Sequence, residues 1–412
     1  MFPKKGIQYV ADIFHEYPHA FWMLVVINFI DRLGTSLLLP FFALYMTKRF
    51  NVGMETAGAL FAVWTSSSFI GSFPGGALTD RMGRKGMMVL GLIATSLSHL
   101  ALGLANTVTL FFIFGFIAGI FTDIASPAYQ AMVADILPEQ KRSQGYAIVR
   151  VAINLSAALG PALGGFIATR SYLVLFIIGA GISLIAAAVV IFVIPETNPL
   201  SRPGVVTETT AESFSGYLRT LRDTPFIVFT LISILAWLVY INLSTTLGVF
   251  LRNSWGISES GYGWLLSLNA ALVVLFQIPI TRRIENQHPF SLMAIGALLL
   301  GVGFAMFGFF SAYSIYFIAV LVITLGEMVM LPVSNSLVAK YAPEEMRGRY
   351  SFMYNLSWGI AYAAGPFLAG LILDKANPDL LWYICGILGL AAALGFAILK
   401  GNSTQIILTR KN

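Results

Sequence analysis

The segment PAYQAMVADILPEQKRSQGYAIVRVAINLSAALGPALGG, residues 127–165, has a counterpart in PVSNSLVAKYAPEEMRGRYSFMYNLSWGIAYAAGPFLAG, residues 332–370, at a constant offset of 205. The register pairs Glu139 with Glu344, Arg142 with Arg347, Gly160-Pro161 with Gly365-Pro366 and Gly165 with Gly370. Further out it carries Pro74 to Pro279 and Asp80 to Glu285. An offset near half of the 412-residue length, held over this distance, means a duplicated unit. Parallel repeats related by an axis along the membrane normal are an arrangement used by secondary transporters, which bind cargo between the halves near mid-membrane. A duplicated bundle would also suit a receptor or scaffold, so the contents of the two copies must decide.

Composition makes the membrane the solvent. Hydrophobic residues are 57% of the chain and charged ones 11%, against roughly 25% charged in a soluble domain. With a mean hydropathy of +0.80, no stretch is polar enough for a separate catalytic domain. Apolar runs broken by polar, Gly or Pro clusters predict spans near 21–46, 57–79, 86–104, 108–133, 145–168 and 172–194. Six more follow near 226–250, 260–281, 290–311, 313–339, 350–373 and 380–399, most near the ~20 residues a crossing needs. The expected fold is therefore all-α: twelve transmembrane helices in two pseudo-symmetric six-helix bundles, 1–194 and 225–412, joined by a linker at 195–224 that opens with PETNPLSRPG.

Of the 25 basic residues, 18 fall on the side that holds both termini and the linker, five on the other, and two, Arg32 and Arg150, inside spans. The positive-inside rule then puts both termini in the cytoplasm of a multi-pass protein of the cell membrane. The net charge of +6 is a topology signal, with no nucleic-acid partner implied. Lys4-Lys5 precede a long first span with no small-residue cleavage site, so that span is expected to be retained. Cys385 is the only cysteine, which excludes an intrachain disulfide. With no HExxH and no histidine cluster, neither a metal nor an enzymatic activity is expected.

The turn between the second and third predicted spans reads GGALTDRMGRKG, Gly75 to Gly86. It resembles the G-x-L-A-D-R-x-G-R-K signature of the major facilitator superfamily, with Thr79 where alanine is usual. NLSAALGPALGG in the fifth span, with Gly160, Pro161, Gly164 and Gly165, is similar to the G-x-x-x-G-P-x-x-G-G antiporter signature of the drug:proton antiporter branch, with Ser156 in place of the leading glycine. Small residues there allow close helix packing, and the proline removes a backbone donor. The eleventh span repeats the motif as GPFLAG, which weakens it as an antiport marker. The fourth span lacks the early arginine frequent in that branch, so coupling through it does not carry over. The resemblance implies a conformational latch of Gly76, Asp80, Arg81, Gly83, Arg84, Asp135 and Arg142, alternating access, and no cofactor beyond the proton gradient.

Six ionisable residues fall within spans: Asp31, Arg32, His99, Asp123, Arg150 and Glu327. Each costs about 2.5–3.5 kcal/mol at mid-span on insertion scales, so such groups face interiors or cavities and serve a task. Desolvation disfavours a carboxylate's charged form, which is what a proton carrier at neutral pH requires. Glu327 has no basic residue within any C-half span. It is the first candidate for proton coupling, with Asp31, Asp123, Arg150 and Arg32 beside it. His99 is expected to be a packing residue.

Tyr354 and Trp358, with Asn355, and Trp237 with Tyr240 give aromatic faces beside that acid, which attract lipophilic cations. With Asn154 they complete the expected substrate site. The expected function is a monomeric, proton-coupled exporter of lipophilic, often cationic, small molecules, in contact with membrane lipid. The alternatives are a lipid or glycolipid transporter of the same fold, and a transport-inactive receptor or scaffold.

Overall fold

A computed structural model of the chain describes residues 16–122, 124–197, 219–343 and 346–408, with side chains undescribed at 72–81, 127, 139, 143, 147, 347–348 and 402–408. Every element among the described residues is helical. In the hydrocarbon a backbone must satisfy its own hydrogen bonds, and helices do so within one segment. The first half comprises α1 (His19–Leu38), a 3₁₀ turn (Leu39–Phe41), α2 (Phe42–Phe50), α3 (Met54–Met82), α4 (Arg84–Leu104), α5 (Val108–Thr122), α6 (Ser126–Ile136), α7 (Glu139–Arg170) and α8 (Tyr172–Val193). The second comprises α9 (Thr224–Tyr240), α10 (Asn242–Thr245), α11 (Leu247–Trp255), α12 (Glu259–Ile284), α13 (Pro289–Phe309), α14 (Tyr313–Tyr341), α15 (Arg347–Lys375) and α16 (Asp379–Leu408).

Among the described residues, ten helical stretches are long and apolar enough to cross a membrane. α3 and the broken pair α5–α6 take the remaining two of the twelve expected places. The break in the fourth span was not foreseen: Pro127, in the first turn of α6, has no N–H to donate to the preceding turn. The seventh span is likewise divided, into α9, α10 and α11, and the first by the turn at Pro40. These last two interruptions fall at the same register of the repeat. So do Asn51 and Gly256, the left-handed caps that end α2 and α11 with φ of 52° and 65°. In the second case the Ile257 N–H reaches back to the Leu251 carbonyl at 3.2 Å and closes the helix end.

The helices gather into two compact units, one of residues 16–38 and 66–197, the other of 39–65 and 219–408. Residues 39–65, which by sequence belong to the first half, thus fall in the second unit. In the first unit α1 lies against α7 and α8, and α4 against α8. Its core includes Phe21, Leu24, Met87, Met132, Val133 and Val190. In the second, α13 lies against α14 and α16, and α9 against α15 and α16. Close approach uses small residues, as packing between membrane helices requires. Gly301 and Gly389 are so close that a Cβ on the latter would lie 2.4 Å from the Cα of the former.

Candidate transport sites in the two halves

At one end of the first unit, Gly83 turns the chain between α3 and α4 with φ of 81°. A Cβ there would meet the Glu196 carboxylate at 2.6 Å, so the position needs glycine for both backbone and space. Glu196 accepts from the Arg84 and Lys85 N–H groups at 3.0 and 3.1 Å, satisfying the open N-terminus of α4. Arg84 forms an ion pair with Asp135 on α6. Arg142 donates through Nε to the Ala134 and Leu137 carbonyls at 3.0 and 3.3 Å, covering the C-terminal end of that helix. Gly83, Arg84, Asp135 and Arg142 of the expected latch are thus gathered in one corner. The side chains at Gly76, Asp80 and Arg81 lie outside the described residues. Glu196 was missed, because Pro195-Glu196-Thr197 read only as the start of the linker.

Deeper in this unit, α1, α4, α5, α6 and α7 enclose a cavity of about 420 Å³. Asp31 and Arg32 enter it from α1, and Arg150 and Asn154 from α7. Three of the ionisable groups singled out by sequence therefore share one space, while Asp123 lies outside the described residues. Asn28, four residues before Arg32 on the same helix face, also lines it. Nearby, Gly160 packs so tightly that a Cβ would lie 2.4 Å from Ser36 Cβ, and Pro161, Gly164 and Gly165 are buried on the same helix. His99 is buried, 3.3 Å from where a Cβ on Gly179 would stand, in the α4–α8 contact.

The second unit holds Glu327 on α14, 8% exposed. Asn269 on α12 donates through Nδ2 to Glu327 Oε2 at 2.8 Å and to Thr324 Oγ1 at 2.9 Å. The Tyr240 hydroxyl is a further neighbour of the carboxylate. Among the described residues these partners are all neutral. Trp237 and Tyr240 meet Trp358 with ring centroids 5.0 and 5.8 Å apart, and Tyr354 stacks on Phe229 at 5.5 Å. Asn355 is exposed. Asn269 escaped notice as one polar residue among many, since its partner is 58 positions away.

Also in the second unit, Asp374 accepts from the Met54 and Glu55 N–H groups at 2.9 and 2.7 Å, capping α3. Lys375 pairs with Glu55 at 2.8 Å, and Lys48 with the buried Glu259 at 2.9 Å. Arg252 reaches the Leu44 carbonyl and the Thr47 hydroxyl at 3.1 and 3.0 Å. These pairs, each more than 200 residues apart in sequence, hold the ends of the first two spans to the second unit.

Duplicated helical halves, buried ionisable groups and a polar cavity define the class as a multi-pass membrane transporter. The chain belongs to the Major Facilitator Superfamily, whose profile matches residues 24–252 and 229–405. It is 28% identical over 354 residues to the "Na(+), Li(+), K(+)/H(+) antiporter" of Planococcus maritimus, covering 79% of this chain and 83% of the relative. It is 27% identical over 369 residues to "Multidrug resistance protein 2" of Bacillus subtilis (strain 168), covering 87% and 90%. Among solved structures, a nucleoside transporter aligns with a TM-score of 0.80 at 13% identity, covering 92% of this chain and all of that one, a likeness of fold.

Proposed function

We propose that this protein is a proton-coupled secondary transporter of the cell membrane, with both termini cytoplasmic, that exports lipophilic, often cationic, molecules by alternating access. It does so without a cofactor, drawing on the proton gradient. The observation that carries the reading is Glu327: a buried mid-span carboxylate, held by Asn269 and Tyr240, with the Trp237 and Trp358 rings packed in turn against Tyr240. Neutral partners hold the group in place and leave its charge uncompensated, so taking up a proton relieves a desolvation cost and releasing one restores it. Cation–π contact at the rings would favour a positive substrate when the carboxylate is charged.

The test is efflux from proteoliposomes over a panel of lipophilic dyes, with and without an imposed pH gradient. Glu327→Gln should abolish gradient-driven efflux while leaving the unfolding temperature near that of the parent. Undiminished coupled efflux in that variant removes Glu327 from the role; absence of gradient-driven movement in the parent removes the exporter reading. A second reading, exchange of monovalent cations for protons, is favoured by the name of the Planococcus relative. It is met by adding sodium and potassium arms to the same vesicles.

A further inference from the structure

The cavity of the first unit contains more positive charge than a pocket for cations alone would need. Arg32 and Arg150 both line it, against Asp31 as the one acid among its described lining residues. Two of its groups are buried without a hydrogen-bond partner among the described residues: the Arg32 Nε, a donor, and the Asn28 Oδ1, an acceptor. Such atoms are costly to bury unless water or a ligand completes them. Ile27, Met88, Leu92 and Phe121 supply apolar wall around these polar groups, and about 420 Å³ is the size of a small-molecule site.

The cavity is not a by-product of the shared helix arrangement, because the repeat does not reproduce its lining. At the offset of 205, Arg32 corresponds to Trp237, Arg150 to Asn355, Val149 to Tyr354 and Ile153 to Trp358. In the second unit Trp237 and Trp358 pack on each other and Tyr354 stacks on Phe229. At this register the two guanidinium groups are therefore particular to the first unit. A guanidinium offers a planar fork of donors that matches the paired oxygens of a carboxylate, phosphate or sulfonate.

We propose that this cavity is a recognition site for the acidic group of an amphipathic ligand, held by Arg32 and Arg150, with Asn28 accepting a hydrogen bond from a neutral donor beside that group. The inference goes beyond the transport reading by adding amphipathic acids to the lipophilic molecules named there, and it rests on that reading only for the step after binding. The acid can belong to a soluble organic molecule or to a lipid headgroup.

Equilibrium calorimetry on the purified full-length protein in neutral detergent, with no pH gradient, tests binding separately from coupling. One arm compares N-dansylphenylalanine with its uncharged amide; the other compares oleoyl lysophosphatidate with monoolein. Binding of the acidic member at least about tenfold tighter in either arm supports the site and tells which source it reads. Equal affinities within both pairs, or tighter binding of the neutral members, overturn it. That result leaves gradient-driven efflux unaffected, just as failed efflux leaves acid binding unaffected. Arg32→Gln and Arg150→Gln should each reduce the acid preference about tenfold, with the lysine variants retaining part of it. Unchanged preference in folded glutamine variants also overturns the assignment.

Discussion

The repeat mates Arg32 and Trp237 occupy one register of the duplicated unit with opposite contents. Arg32 lines a cavity, although its Nε and the Trp237 Nε1 alike lack a hydrogen bond among the described residues. Trp237 is 2% exposed, its ring edge-on to Trp358 and Tyr240. The acids diverge in the same way: Glu327 falls at the register of Thr122, a cavity-lining residue of the first unit. Duplication has thus preserved one interruption and its left-handed caps, at Asn51 and Gly256, though not the break ahead of Pro127, while the interiors have divided the work. One half keeps open polar space with fixed positive charge. The other fills the same register with packed rings and sets Glu327 beside Tyr240 and Asn269.

The sharpest way to break this comparison is to truncate both mates. Trp237→Ala removes a large side chain from a filled interior and should cost about 3–5 kcal/mol. Arg32→Ala empties a site that is already a cavity and frees a buried donor, so less than about 1 kcal/mol of stability should go with it. Reversible unfolding in mixed detergent micelles gives both values. Equal losses would mean that the two interiors are packed alike, and the division would fall.

A smaller difference is expected at the glycines of the shared Gly-Pro motif. A Cβ on Gly160 would lie 2.4 Å from Ser36 Cβ and 2.7 Å from its carbonyl carbon, so backbone must yield. On Gly365 the obstacles are side-chain methyls, Ile241 Cγ2 at 2.8 Å and Leu238 Cδ2 at 3.5 Å. Gly160→Ala should cost about 1–3 kcal/mol through overpacking. Gly365→Ala should cost less, since small methyl shifts are set against about 1 kcal/mol of improved helix propensity. The same unfolding assay ranks the two, and a larger loss at Gly365 would reverse the assignment of the tighter helix contact to the first unit.

These two glycines also mark the limit of sequence reading. The motif and its repetition were visible as residues, because glycine and proline act on the backbone they belong to. That one copy abuts backbone and the other only methyl groups depends on Ser36 and Ile241, which no spacing rule connects to them. The helices were legible for the same local reason: long apolar runs must close their own hydrogen bonds. The interruption ahead of Pro127 went unseen because proline at that position is equally compatible with a kinked continuous helix, as Pro332 is inside α14. Buried charges stood out by their rarity, and Asp31, Arg32 and Arg150 do share one cavity. Their neutral partners, Asn28 and Asn269, were ordinary polar residues until the fold placed them.

The mildest test concerns two carboxylates that cap helices from a distance. Glu196 closes α4 within the first unit, from 112 residues away, and Asp374 closes α3 within the second, from 320. Each accepts two backbone N–H bonds at a positive helix end, so Glu196→Ala and Asp374→Ala should each cost about 1 kcal/mol. They differ in surroundings. Beside Glu196 lies the Arg84–Asp135 pair, with Arg84 also donating to the Thr197 carbonyl at 3.4 Å. Beside Asp374 lies the more exposed Lys375–Glu55 pair. Adding Arg84→Ala to Glu196→Ala should therefore be non-additive by about 0.5 kcal/mol or more, because Arg84 shares Glu196's helix end. Lys375→Ala with Asp374→Ala should come closer to additivity, as solvent screens that pair. Double-mutant cycles in the unfolding assay decide. If the second cycle couples as strongly as the first, the corner around Gly83 is no more cooperative than the far end of α3, and its standing as a switch must rest on transport kinetics.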